Sequence, residues 1–459
     1  MNIKTLSVAF LLACSTISCS KFLDKEPENE VSVELIFSDM PGAKSALAGV
    51  YNNLFQSDYY NGLRMVYPDL LGGNLTFAAA GRTTLLTLYS FETDADNDTM
   101  NKLYSYQYTL LNAINNIIKR VPEIANLNPF ERNHIMAQAY GLRALVHFDL
   151  VQFYAQPYIY TKDASHMGII LAKSTILPKD AQIARSTVAE VYQHIESDLN
   201  MADSLFANSK TVFEGNAKIY MNLQATKALQ ARLALNRGDW QKAYQLSAEL
   251  LKANYSLYTN AEYVGSWKQA NTKESIFELA VPSNYSGNSI GSYYVKDSGN
   301  SYYQFAPSQD LLGLYGADDV RATGGIFKYP TLQTAVTSVK LIRLSEIYLI
   351  HAEAAAELGH TEEAVVSLNA IRLRGNPKLG AYVFTTKNLL INEVLDERRR
   401  ELCLEGLLYL DLMRRGLSVK RNDCTGTNCN VTFPNDHMVL PIPKQSVLSN
   451  NRMIQNPGY

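Results

Sequence analysis

"LIRLSEIYLIHAEAAAELGHTEEAVVSLNAIRLRG", Leu341 to Gly375, decides the fold. Apolar residues recur at three-and-four spacing on both sides of Gly359, the signature of two amphipathic helices joined by a tight turn. Alanine crowds the first of them, which favours helix and lets a neighbouring helix approach closely. Gly359 stands where a helix must stop, and Ala364, five residues on, opens the packing face of the second helix. "LNRGDWQKA" repeats this plan with Gly238 and Ala243.

Two such units, far apart in the chain, resemble the helix-turn-helix unit of tetratricopeptide repeats. Because they are not adjacent, the sequence predicts helix pairs interrupted by insertions and not a continuous array. The same periodicity runs through "PGAKSALAGVYNNLFQ", "YTLLNAINNIIKRVPEI", "ERNHIMAQAYGLRALVHFDLVQFYA" and "STVAEVYQHIESDLNMADSLF". The expected fold is therefore mostly α. Helical period is lost over about residues 57–100 and 255–340, where Gly, Ser, Asn and Tyr accumulate. These two stretches are read as loop-rich insertions, with a carboxy-terminal region over about 341–459.

"DERRRELCLEGLLYLDLMRRG", Asp396 to Gly416, carries five arginines, which raises the question of nucleic acid. From Glu393 to Arg415 the acids Glu393, Asp396, Glu397, Glu401, Glu405 and Asp411 outnumber Arg398, Arg399, Arg400, Arg414 and Arg415. Asp396 precedes Arg399 and Arg400, and Asp411 precedes Arg414 and Arg415, at the spacings where helical side chains meet. These are expected pairs and not a basic patch. With Lys+Arg 42 against Asp+Glu 44 in the whole chain, no long-range field draws phosphate, and a nucleic-acid partner is excluded.

The amino-terminal "MNIKTLSVAFLLACSTISCS" pairs Lys4 with an apolar run ending in small residues and a cysteine. It reads as an export signal, too short for a retained membrane helix. "TISC" fits a lipoprotein cleavage site that would make Cys19 the lipidated first residue and residues 1–18 the signal; "LLAC", ending at Cys14, fits the same consensus, and an ordinary secretory cut remains the alternative. Of the later cysteines, Cys403 lies among leucines as a small apolar residue. Cys424 and Cys429 of "CTGTNC" read as a local disulfide in an exported protein. A metal site there is the weaker reading, since only His437 is near in sequence.

Motifs for chemistry are absent: the chain has no P-loop, no G-x-S-x-G, no H-E-x-x-H and no G-x-G-x-x-G in a strand-turn-helix setting. "DADND", Asp94 to Asp98, starts like a calcium loop but lacks the sixth-position glycine, and Ser105 occupies the place of the bidentate glutamate. It reads as a solvated acidic loop. No catalytic residue, cofactor or metal is expected.

In order along the chain, "CSKFLDKEP", "ALAGVYNNL", "AYGLRALVHFDLVQFYA", "ESIFEL", "RLSEIYLIHAEAAAELG", "ERRRELCLEGLLYLDLMRRG" and "LPIPKQSVLSNNRMIQNPGY" resemble the SusD/RagB family of Bacteroidetes outer-membrane lipoproteins over almost the whole chain. The resemblance implies one helical body with tetratricopeptide-like pairs and an irregular ligand-facing part. It implies a lipid anchor, an outward orientation, and a partnership with a SusC-like TonB-dependent barrel for import of oligosaccharides or, in the RagB branch, of peptides. It also implies binding without catalysis. Glu397, Arg398, Glu401, Glu405, Gly406 and Asp411 match one structural signature of the family, and Arg343, Glu346 and Glu353 another; their acids and arginines are expected to satisfy one another between helices. Cys403 departs from the apolar or aromatic residue common at its place, and "CTGTNC" is an addition.

The family motifs do not carry a ligand site, so its prediction rests on chemistry. Sugars stack apolar C–H faces on aromatic rings while their hydroxyls need amides and acids. The chain holds Tyr 29 against Phe 16 and Trp 2. Five tyrosines lie in "SNYSGNSIGSYYVKDSGNSYYQFAPS". Tyr293, Tyr294, Tyr302 and Tyr303 are the first candidates, followed by Tyr59 and Tyr60, then Trp267. A protein-interaction scaffold at the outer membrane is the competing reading, and a helical glycosidase the third.

Overall fold

The computed structural model describes residues 33–78, 83–177, 181–215, 217–296, 303–323, 325–326, 328–330, 338–424 and 427–459. The expected residues Cys14, Cys19 and Tyr302 lie outside them.

Helices carry the architecture: α1 (Met40–Leu54), α2 (Leu63–Gly72), α3 (Asp98–Arg120), α4 (Pro129–Tyr154), α5 (Val188–Ala207), α6 (Leu223–Arg237), α7 (Trp240–Leu250), α8 (Leu344–Leu358), α9 (Thr361–Gly375), α10 (Lys387–Leu402) and α11 (Leu408–Arg414). Successive helices pack in pairs, α4 with α5, α6 with α7 and α8 with α9. Both turn glycines are left-handed, Gly238 at φ +73° and Gly359 at φ +82°. Each ends its helix with backbone N–H bonds to the last-turn carbonyls, the geometry that only glycine adopts without strain. Ala243 and Ala364 are fully buried, as the repeat predicts. Side chains start several helices: Asn222 caps α6, and Thr187 and Glu190 form a reciprocal capping box on α5.

Among the described residues, the β-strands form three two-stranded antiparallel ribbons, beside one isolated bridge between Met167 and Thr187. β1 (Leu75–Phe77) pairs with β3 (Phe305–Pro307), β2 (Ser275–Leu279) with β4 (Val339–Arg343), and β5 (Val419–Lys420) with β6 (Asn430–Val431). The first ribbon joins the two insertions.

The first insertion is more ordered than periodicity suggests. It contains α2 and a short helix Thr83–Tyr89. Every residue of α2 is buried, so no polar stripe marks it as a helix in the sequence. The far carboxy terminus also returns to the core. Asn456 Nδ2 donates to the carbonyls of Tyr154 (3.0 Å) and Leu440 (2.7 Å), and Arg185 donates to Asn456 Oδ1 at 2.7 Å.

Charged side chains in the interior knit these elements together. Arg343 binds Glu401, Glu405 and Glu274; Arg374 binds Glu274 and Glu401; Arg321 binds Asp319, Glu397 and Glu401. Nearby, Arg414 joins Glu353 to Asp411, Arg398 also holds Asp411, and Arg232 pairs with Glu346. The signature acids and arginines thus meet across helices. The expected pairs along the helix are mostly replaced. Arg414 does meet Asp411, but Arg399 donates to Asn74 and the Gly73 carbonyl, Arg400 binds Glu397 and Glu393, and Arg415 reaches Glu357. Burial turns Arg399 and Arg415 toward the elements they pack against, where an inward arginine needs a partner, while Arg400 takes other acids of its own helix. Gly406, at φ +71°, lies against the Arg64 carbonyl and Met65 Cα, leaving no room for a side chain.

Candidate functional site

A cavity of about 350 Å³ opens where the two insertions meet. Its walls come from Ser57, Asp58, Asn61 and Leu63 of the first insertion, Thr99 and Lys102 at the start of α3, and Gly287, Asn288, Ser289, Ser292 and Tyr293 of the second. It combines one aromatic ring with amides, hydroxyls and two charges.

Asn61 holds the two sides in register. Its Nδ2 donates to Tyr285 Oη and the Asn288 carbonyl, both at 2.9 Å, and its Oδ1 accepts from the Ile290 N–H at 2.9 Å. Tyr285 in turn donates to the Asn288 carbonyl and packs edge-on to Phe55 at 5.1 Å. All of Asn61's direct bonds here serve the frame, so the wall is set before any ligand arrives. At the rim, Lys102 pairs with Asp98 at 2.6 Å while Asp58 is exposed. The ion pair raises the Lys102 ammonium above its ordinary range.

Tyr293 is the predicted aromatic that the cavity contains. Its ring is half-buried and lies over Phe305 at 6.0 Å. Tyr294 turns inward: its hydroxyl is buried and its ring stacks on Tyr329 at 6.4 Å. Burial, with Asp69 and Tyr329 as neighbours, pushes that phenol well above its ordinary range. Tyr303 is half-buried and forms no part of this cavity wall.

Three expected ligand residues belong to the core instead. Tyr59 and Tyr60 both donate to Asp149 Oδ2 at 2.7 Å, beside the Arg64–Asp149 ion pair, also 2.7 Å. Their adjacency in sequence serves that one buried carboxylate, which anchors the root of the first insertion to α4. Trp267 is 3% exposed, with Lys328, Lys340 and Arg343 around its ring at 4.9, 5.2 and 5.6 Å. None of the three can reach a ligand without unpacking the core. Sequence reasoning missed Asp58, Asn61, Asn288 and Ser289. Their signal was the Asn/Ser/Gly composition of "QSDYYNG" and "SNYSGNS", where attention went to the tyrosines.

Elsewhere, Cys424 and Cys429 are joined in a disulfide and Cys403 is a buried thiol. The acidic loop is occupied by its own neighbours: Asp94 accepts from the Asp96 N–H, and Asp96 pairs with Lys444. His147, His194 and Asp198 bring their ligand-type atoms within 4.8 Å of one another. Asp198, however, is gripped by both Nε and Nη2 of Arg143 at 2.7 Å, and a guanidinium in that place opposes a cation. Among the described residues, no helix is long and apolar enough to cross a membrane.

Comparison with known proteins places this architecture. Residues 325–459 match the SusD family, and residues 21–235 match a family described as starch-binding and associating with the outer membrane. The chain belongs to the SusD/RagB family. SusD-like protein P38 of Formosa agariphila is 24% identical over 99% of both chains. The starch-binding protein SusD of Bacteroides thetaiotaomicron is 33% identical over 27% of this chain and 22% of its own length. Among solved structures, a SusD superfamily protein of Bacteroides thetaiotaomicron superposes with a TM-score of 0.82 at 26% identity, covering 91% of this chain and 99% of the other. A SusD superfamily protein of Bacteroides vulgatus gives 0.80 at 27% identity, over 91% and 99%.

Proposed function

We propose that this SusD-family chain is a cell-surface lipoprotein, anchored through Cys19, that captures oligosaccharides and passes them to a SusC-like TonB-dependent transporter. The observation that carries the reading is the cavity between the insertions. Tyr293 supplies a face for a sugar ring, while Asp58, Asn288, Ser289 and Ser292 supply hydrogen-bonding groups around it. Such a mixture suits a polyhydroxylated ligand better than an apolar one. The kinship with a protein named for starch binding and with an outer-membrane-associated family supports both the ligand class and the location. Binding, not catalysis, is the role of this site: among the described residues Asp58 is the wall's carboxylate, and Asp98 at the rim is engaged by Lys102 and not paired with Asp58 for cleavage of a glycosidic bond.

The test is calorimetric titration of residues 20–459 with plant, fungal and host oligosaccharides and with a peptide mixture. Heat from one glycan class, lost in Tyr293→Ala and reduced in Asp58→Ala, is the expected result. Heat from peptides alone assigns the protein to the RagB-like branch, and silence across the panel leaves the scaffold reading. Co-purification of a large β-barrel with the tagged, membrane-extracted chain tests the transporter partnership.

A further inference from the structure

The Cys424–Cys429 bridge follows β5 and joins two short pieces of chain, one bonded to each insertion: Thr427 and Asn428 inside the bridge meet the first, and Asn422 and Asp423 just before it meet the second. Toward the first insertion, Asn428 Nδ2 donates to the Ser90 carbonyl at 2.9 Å and Thr427 Oγ1 to Glu92 at 2.6 Å. Toward the second, Asp423 accepts from the Gln309 N–H at 2.6 Å, and Asn422 donates through both nitrogens to Asp310 at 2.7 and 2.9 Å. Arg421, 2% exposed, sits at the root. Its guanidinium lies 4.0 Å above the Tyr89 ring, donates to the Tyr89 carbonyl, and also donates to the carbonyls of Asn428 and Cys429 inside the bridged segment.

From Tyr89 a line of rings leads to the cavity. Tyr89 meets Phe77 edge-on at 5.4 Å, Phe77 meets its cross-strand partner Phe305 at 5.2 Å, and Phe305 lies under Tyr293 at 6.0 Å. Close-packed rings do not slide independently, so the position of Tyr89 is felt at Tyr293.

We propose that the Cys424–Cys429 bridge makes a positioning clasp for the cavity: it ties Asn422 and Asp423, held on the second insertion, to Thr427 and Asn428, held on the first, and, through Arg421 and the ring line, fixes Tyr293. The proposal concerns the ligand site assigned above and rests on that reading. Two-residue strands do not hold a hairpin by themselves. The covalent bridge limits how far Asn428 and Cys429, whose carbonyls accept from Arg421, can move from it. Once opened, it leaves buried guanidinium donors without fixed acceptors, and the rings above them lose their floor.

The experiment labels the protein with 3-fluorotyrosine, assigns the Tyr293 resonance through Tyr293→Phe, and compares wild type with Cys424→Ser/Cys429→Ser without ligand. The clasp predicts a shifted or broadened Tyr293 signal in a protein that still melts cooperatively. Asn428→Ala, which removes only the tether to the first insertion, gives a smaller change in the same direction and serves if the double variant does not fold. Tyr60→Phe lowers the melting midpoint but leaves the Tyr293 signal in place, which separates positioning from general destabilisation. An unmoved Tyr293 signal in both loop variants overturns the proposal. Maltoheptaose and the glycan panel supply the second readout, with about tenfold weaker binding expected in the double variant for any glycan that binds wild type. A moved Tyr293 signal with no glycan binding to wild type upholds the clasp while removing the ligand reading.

Discussion

Replacing Glu401 by glutamine tests the buried charge lattice at its centre. Glu401 is fully buried and faces three guanidinium groups: Arg374 at 2.5 Å, Arg343 at 2.6 Å and Arg321 at 3.1 Å. Burial alone would lift its pKa, but Arg374, Arg343 and Arg321 outweigh that and hold the carboxyl well below the usual carboxylate range. Glu401→Gln keeps the shape, deletes the charge and turns an N–H₂ toward groups that only donate. Three buried arginines then share a lattice short of one anion. Removing one partner of a buried pair costs about 3–5 kcal/mol. An unfolding entropy of about 2.1 cal/mol/K per residue gives a chain of this size about 0.9 kcal/mol per degree. The melting midpoint should fall by about 3–6 °C in a calorimetric scan. Asp318→Asn is the control, because its pair with Lys378 at 2.9 Å has side chains 53% and 74% exposed; it should move the midpoint by less than about 1 °C. Equal shifts in the two variants would refute the view that burial, and not pairing as such, gives the lattice its weight.

Tyr59→Phe and Tyr60→Phe each remove a hydroxyl from Asp149; stability should fall by about 1–3 kcal/mol, while calorimetric affinity for any bound glycan stays at the wild-type value. Gly406→Ala places a methyl within 3.0 Å of the Arg64 carbonyl at a left-handed position and should cost about 2 kcal/mol or more in chemical denaturation. Burial holds His134 at about 4 and keeps His147, His166, His194 and His351 below the ordinary imidazole range. The unfolded chain takes up these protons near pH 6.5 and the folded chain does not, so stability falls as pH drops through about 6.5 toward 5. Asp69, pushed up to about 6 by burial, acts in the opposite sense, as do Asp203 and Asp396, whose carboxyls burial also raises, but these three carboxyls stand against five rings. A melting midpoint that rises between pH 7.5 and 5 would contradict this balance.

The helix pairs were legible because their signals are local: a stop glycine, an alanine at the packing face, a stripe at three-and-four spacing. α2 was not legible, since a segment buried on all sides shows no stripe. The direction of the arginines lay beyond sequence for a related reason. Arg399 has an acid three residues before it, yet reaches Asn74, which is 325 positions away. Site prediction turned on aromatic rings, and rings alone do not separate cavity wall from core. Tyr59, Tyr60 and Trp267 are aromatic and lie in the insertions, but what separates them from Tyr293 is a buried acid or a cage of cations contributed by distant elements. The cavity's polar wall comes from small side chains that sequence composition marks only as a group.

The docking of Asn456 against Tyr154 and Arg185 bears on how the molecule is made. A chain emerging amino-terminus first can form α4 early, but the bond from Asn456 to the Tyr154 carbonyl of its last turn spans 302 positions. The same holds for Asp69, whose oxygens accept the N–H groups of Leu404 and Gly406. These contacts therefore close only after Leu404, Gly406 and Asn456 have been made, and until then the charged interior is open to water. A copy cut short before Leu404 lacks every one of these partners, and its interior stays open to proteolysis.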